Sequence, residues 1–186
     1  NAPAPVSALL SALVVKASFY ILLRLWFELF SAAVTPAAAT FLGLLGAGAI
    51  LWGSAQALHQ PRLKLLVAYS TVAQLGYLML VFPLTQNAGS ALTAWSACVY
   101  FVLAHACAKT AMFLAAGNIA HAAGHDRIAD LDGITQALPL SVAAFALAGI
   151  SLIGLPPSGG FIAKWMLLQA AIGSGEWGWA TLILAG

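Results

Sequence analysis

From Ala91 to Ile119 the chain passes only one formal charge, that of Lys109, and no proline. A run this long and apolar has one comfortable home. In lipid every unpaired amide is expensive, and only a helix or a closed barrel satisfies its backbone internally. Comparable stretches lie at about 4–30, 37–58, 63–82 and 137–172, and a sixth starts near 177. Each complete one is long enough to cross a hydrocarbon core of roughly 30 Å, which takes about 20 helical residues. The expected fold class is therefore an all-α membrane protein, a multi-span helical bundle in which residues 1–186 form a single polytopic domain.

Composition agrees and removes other classes. Of 186 residues, 62% are hydrophobic and 6% charged, against about a quarter charged in a soluble domain. Seven Lys/Arg and five Asp/Glu are scattered without a basic tract. The expected partner is a lipid bilayer and no nucleic acid. Cys98 and Cys107 share one apolar run and match no metal-site spacing, so no metal, cofactor or disulfide framework is expected, and no redox chemistry in this chain. The last apolar run, Trp177 to Gly186, would reach only about 15 Å as a helix, so the sequence reads as an internal fragment of a longer membrane protein.

Turn residues divide the spans: Pro5 suits a first helical turn, Pro36 marks the start of the second span, and Pro83 with "TQNAGS" separates the third from the fourth. "HQPRLK" (His59 to Lys64) and "HAAGHDRIADLDGITQ" (His121 to Gln136) fall on one side if the spans alternate. They carry Arg62, Lys64 and Arg127, and the positive-inside rule makes that side cytoplasmic, as in a multi-pass cell (inner) membrane protein. Arg24 and Glu28, one turn apart, are placed to pair or to snorkel.

The informative residues are those that are costly to place. Lys16 lies deep in the first span, Lys109 past the middle of the fourth, and Lys164 in the fifth. At roughly 2.5 to 3.5 kcal/mol each, three central lysines oppose insertion by about 8 to 10 kcal/mol. His105 precedes Lys109 by four residues and so shares its helix face, and a histidine beside a lysine forms a candidate proton relay. Ser70, Gln74 and Tyr77 form a polar stripe on the third span, suited either to lining a wet channel or to bonding between helices.

The fifth span contains "GLPPSGGFIAKW" (Gly154 to Trp165). Pro156 and Pro157 remove two amide donors and, with the surrounding glycines, interrupt the helix, so backbone carbonyls are expected to come free near mid-membrane. Such a break survives only inside protein or against water, where its carbonyls and half-helix dipoles can serve an ion or a water chain. Lys164 stands about one turn beyond it.

Three ordered segments, "LKLLVAYSTVAQLGYLML", "HACAKTAMFLAAGNI" and "GLPPSGGFIAKW", resemble the antiporter-like proton-translocating membrane subunits shared by respiratory complex I, Mrp-type sodium/proton antiporters and membrane-bound hydrogenases. The opening "APAPVSALLSALVVKASFYILLR" resembles the helix after that family's first broken one, and Lys16 at the family's lysine position makes the likeness nearest to the D-type Mrp subunit. The resemblance implies a proton path in which Lys16 is the connecting lysine, His105 and Lys109 the central relay, and Lys164 the terminal lysine on the broken helix. It also implies other membrane subunits as partners and H+ as the ion, with exchange for Na+ left open. Two departures touch the surface link: Arg62 stands where the family usually has an acid, and Leu65 where it has a second basic residue. The family's upstream glutamate and lysine pair would precede Asn1.

Two alternatives stay open at this level. A non-conducting structural subunit would tolerate Leu or Met at the lysines, and a stand-alone secondary solute transporter would need a substrate-sized cavity with convergent polar groups. A quinone-reducing enzyme would need cofactor ligands that this chain does not offer.

Overall fold

The computed structural model describes residues 3–186, and among them the chain is helical with no strand. Helix starts follow local chemistry. α1 (Ala4–Leu29) has a proline in its first turn. α2 (Pro36–Leu58) begins at Thr35, whose Oγ1 accepts from the Ala38 amide at 3.2 Å. α3 (Leu63–Leu84) follows directly after the short basic link. α4 (Ala88–Ala123) is capped by Asn87, which accepts from the Gly89 amide at 2.9 Å, and ends at Gly124 with φ 75°. α5 (Pro139–Ile153) ends at Gly154, φ 89°, and α6 (Gly159–Gly173) starts from Ser158, which caps the Phe161 amide at 3.2 Å. α7 (Trp177–Ala185) completes the order.

Four helices, α1 to α4, are long and apolar enough to cross a membrane. The fifth expected span is two 15-residue helices, α5 and α6, each about 22 Å long and too short to cross alone. The chain is thus a multi-pass membrane protein with one discontinuous helix. Two details differ from the sequence reading. α1 is not uniform: it widens into π-helical turns at Leu10–Val14 and Leu25–Leu29. Pro83 lies within a short helical turn, Val81–Leu84, rather than in the gap after α3. The helix is interrupted at Leu80, so Pro83 falls in the first turn of a new segment, where the amide it lacks has no partner within that segment.

Small residues set the packing. A Cβ on Gly76 would stand 2.4 Å from the Gly46 carbonyl oxygen, and one on Gly53 would stand 2.6 Å from the Ala73 amide nitrogen, so α2 and α3 touch backbone to backbone. α4 is the central post and meets α1, α3, α5 and α6. The outside is apolar, with Leu13, Phe41, Leu92, Leu103 and Leu147 exposed, while Lys16, Thr71, Gln74, His105 and Lys109 are buried. That inversion of the soluble pattern belongs to a protein whose solvent is lipid.

The two loops placed on one side by the sequence meet. The Leu63 amide donates to the Asp126 carbonyl at 2.8 Å, the Ile128 amide to that of Pro61 at 2.9 Å, and Arg62 Nε lies 3.4 Å from Asp126 Oδ1. Arg24 and Glu28 also pair, at 2.6 Å, on the exposed surface of α1.

The glycine contact gives a paired test. Gly76→Ala drives a methyl into the Gly46 carbonyl and is expected to cost about 1–3 kcal/mol. Gly48→Ala meets nothing within 4 Å and is expected to be neutral or slightly stabilising. Unfolding of the two variants in mixed micelles, against the parent, separates these outcomes; equal effects would contradict the packing.

Candidate functional site

The π-helical turn of α1 brings the Ser11 carbonyl within reach of the Lys16 ammonium, which donates to it. Lys16 is 6% exposed, so its side chain turns inward rather than snorkelling. Ser11 carries the polar line onward, its Oγ lying 2.8 Å from Thr71 Oγ1 on α3. Thr71 in turn donates to the Val67 carbonyl at 3.2 Å. That carbonyl also accepts from Lys109 Nζ at 2.6 Å.

Lys109 has no exposed surface at all. Besides Val67 it donates to Ser70 Oγ at 2.5 Å, and Ser70 passes a hydrogen to Val67 at 2.9 Å. One carbonyl of α3 therefore collects three side-chain donors, from Ser70, Thr71 and Lys109, and Ser11 adjoins both ends of the set, meeting Thr71 through its hydroxyl and Lys16 through its backbone carbonyl. An ammonium has three hydrogens to place, and these are the oxygens that replace its water.

His105 shares the buried face of α4 with Lys109, but no hydrogen bond joins them among the described residues. Lys109 turns towards α3. His105 is 3% exposed, and neither ring nitrogen has a hydrogen-bond partner in the described protein. The ring borders a cavity of about 10 Å³ shared with Gln74, Phe101, Ser151 and Gly160. That is at the lower limit of the room one water needs. A relay between the two residues therefore has to pass through a mobile group rather than a direct bond.

At the break two of the carbonyls are taken by side chains, where the sequence reading expected them to come free. Gln74 Nε2 donates to the Leu152 carbonyl at 3.0 Å, and Lys164 Nζ to that of Ile153 at 3.2 Å. Both oxygens belong to the last turn of α5, whose amide partners were removed when the helix ended, and the side chains of Gln74 and Lys164 have taken their place. The start of α6 presses on that turn: a Cβ on Gly160 would lie 1.7 Å from the Ser151 carbonyl oxygen, and the Gly160 amide donates to Ser151 Oγ at 3.3 Å. Pro156 and Pro157 lie on the exposed outside of the break, and Lys164 is half-buried beside it. The polar stripe of α3 makes contacts between elements: Ser70 serves Lys109, Gln74 the break, and Tyr77 lies 3.4 Å from the Ile183 carbonyl.

Three participants were not singled out from the sequence. Thr71 adjoins Ser70 but points to another side of its helix, Ser151 precedes the break, and Ser11 lies five residues before Lys16 in a helix that reads as uniform. A lone hydroxyl on an apolar helix carries little signal, because it can satisfy itself on its own backbone.

The geometry is that of a helical core with ammonium groups held inside it beside a broken helix. A family model described as "NADH:quinone oxidoreductase/Mrp antiporter, TM" matches residues 1–186. The chain belongs to this family. It is 38% identical over 177 residues to subunit N of the NADH-quinone oxidoreductase of Desulforudis audaxviator, covering 94% of this chain and 34% of that protein. It is 35% identical over 188 residues to one of the Na(+)/H(+) antiporter subunits of Alkalihalophilus pseudofirmus, covering 95% of this chain and 23% of that one. Among solved structures it resembles a chain of the Mrp complex from Dietzia sp. DQ12-45-1b, with a TM-score of 0.86 and 29% identity over 96% of this chain and 32% of that chain. It also resembles a chain of the membrane-bound sulfane sulfur reductase, an archaeal respiratory membrane complex, with a TM-score of 0.85 and 28% identity over 98% of this chain and 37% of that one. The chain thus spans about a third of the length of most of these proteins, and less of the antiporter protein.

The Lys109 contacts predict a coupled pair. Ser70→Ala leaves a buried ammonium short of an acceptor and is expected to destabilise the protein by about 1–3 kcal/mol. In a Lys109→Met background the same change is expected to cost a small fraction of that. A double-mutant cycle on thermal unfolding in detergent reads the difference, and additive effects would contradict it.

Proposed function

We propose that this chain is the core of a proton-translocating subunit of a multisubunit membrane complex, moving H+ through Lys16, His105, Lys109 and Lys164 with water as the mobile carrier. The observation that carries the reading is the complete burial of Lys109 on the Val67 carbonyl and the Ser70 hydroxyl, with the Thr71–Ser11 hydroxyl pair and the buried Lys16 adjoining it. Burying such charges is expensive, and a scaffold gains nothing from them. Ser11, Ser70 and Thr71 hold hydroxyls that can accept and donate in turn, whereas the Val67 carbonyl accepts only and serves to fix the ammonium.

Gln74, Pro156 and Pro157 support the second half of the path. The prolines end α5, its last carbonyls are shared between Gln74 and Lys164, and the small cavity beside His105 lies next to them. A water there would connect the imidazole to Gln74 and Ser151, and so bring the central pair to the break. Lys164 then exchanges protons on one side of the membrane.

The ion is read as H+ because lysine, histidine and hydroxyls line the path, while the carboxylates are at the surface, as with Glu28 and Asp130. Exchange for Na+ would draw on parts of a longer protein. The relatives are named as subunits of an oxidoreductase and of an antiporter, which supports other membrane subunits as partners. A cell (inner) membrane location with the two joined loops in the cytoplasm rests on Arg62, Lys64 and Arg127 and the positive-inside rule. The described unit serves as one polytopic domain of that larger protein.

Lys109→Ala and Lys164→Ala, made in the full-length protein within its complex, test the reading in sealed vesicles. Both are expected to lower proton movement at least about tenfold, with co-purification of the other subunits preserved. Full transport in both variants would remove these residues from the path, and lost assembly with Lys→Met as well as Lys→Ala would favour a structural subunit.

A further inference from the structure

Lys164 has one hydrogen-bond acceptor among the described residues, the Ile153 carbonyl at 3.2 Å, although an ammonium has three hydrogens. What faces it otherwise is an aromatic ring. Its Nζ lies 4.3 Å from the centroid of Tyr77, well within the roughly 6 Å over which a cation is drawn to a π face. Tyr77 is fully buried, whereas Lys164 is half-buried and reaches the ring from the wetter side. We propose that Tyr77 is a positioning residue for Lys164: the face of its ring holds the ammonium against the broken end of α5. This deepens the proton-path reading above and rests on it.

The surroundings fix both partners of the contact. Tyr77 is backed by Phe101, whose ring stacks on it at 5.7 Å with 27° between the planes. Phe101 in turn stands 6.2 Å from the His105 ring, so the ring that holds Lys164 belongs to the same packed layer as the central histidine. The lysine stem passes close to Gly154, where a Cβ would lie 2.9 Å from Lys164 Cδ, and Gly154 adopts φ 89°, a conformation that suits glycine.

The position is a selected one. On its other side Lys164 borders a cavity of about 270 Å³ lined by Ile153, Phe161, Trp165 and Leu184, among others, which is room for several waters. A flexible four-carbon stem could carry the ammonium there. The ring draws it inward instead, towards the carbonyls that Gln74 and Lys164 share.

The ring rather than the hydroxyl does this. The Tyr77 hydroxyl makes one long bond, 3.4 Å to the Ile183 carbonyl, beyond the usual range for an O–H donor. Tyr77→Phe keeps the π face and is expected to retain at least half of the proton transport rate. Tyr77→Leu is expected to lower it about tenfold, the order that a partly desolvated ring–ammonium contact supports.

The decisive experiment keeps the shape and changes only the ring's electrons. Mono-, di- and trifluorinated phenylalanines are placed at position 77 of the full-length protein in its complex, and proton transport is measured in sealed vesicles beside Lys164→Ala, with assembly checked by co-purification. Transport is expected to fall stepwise with each fluorine, reaching about a tenfold loss, while Lys164→Ala is inactive. A flat fluorine series with Lys164→Ala inactive would overturn the role of Tyr77 and leave the proton path standing, as would a Tyr77→Phe variant as slow as Tyr77→Leu. Full transport by Lys164→Ala would overturn the proton-path reading and this inference together.

Discussion

An ammonium group buried in a membrane bundle has to find oxygens, and a regular helix has few to spare because its carbonyls already serve its own amides. The fold depends on how that shortage is met. Lys16 uses the carbonyl of Ser11, which lies in a π-helical turn. Lys164 uses the carbonyl of Ile153, at the last turn of a helix stopped by glycine and proline. Lys109 uses the Val67 carbonyl of a regular helix and needs Ser70 as well. Two of the three ammonium groups therefore sit where the helix is deformed. The deformations are the means by which charge is kept inside.

This arrangement also explains the position of α4. It contacts α1, α3, α5 and α6, and it brings His105 and Lys109 to different neighbours. Lys109 faces the hydroxyls of α3, while His105 faces the junction of α5 and α6. The central pair is thus a branch point between two polar regions rather than a single bonded dyad. Small residues allow the close approach that such sharing needs, as between α2 and α3 at Gly46 and Gly76.

Much of this was legible in the sequence because lipid simplifies the problem. Long apolar runs can only be helices, and a charge or a proline pair inside one of them stands out against a uniform background. Lys16, Lys109 and Lys164 and the broken fifth span could be read that way, and counting spans put the two polar loops on one side. The π-helical turn at Leu10–Val14 could not, since nothing in "LSALV" differs from an ordinary helical run. Ser11, Thr71 and Ser151 were hidden for the same reason. Their importance lies in which helix they face, and that is set by tertiary packing. The carbonyls at the break were expected to be free, and their capture by Gln74 and Lys164 depends on two side chains from outside that turn.

The central claim is that charged groups are held in a dry interior and linked there by water. It is tested most directly by a density map of the full-length protein in a lipid bilayer, at a resolution that shows ordered water. The account predicts a water within hydrogen-bond distance of a His105 ring nitrogen, in the space bounded by Gln74 and Ser151, with the Lys16 and Lys109 amines inside the bundle. A closed, dry space beside His105, with those amines turned out to the lipid headgroups, would contradict it.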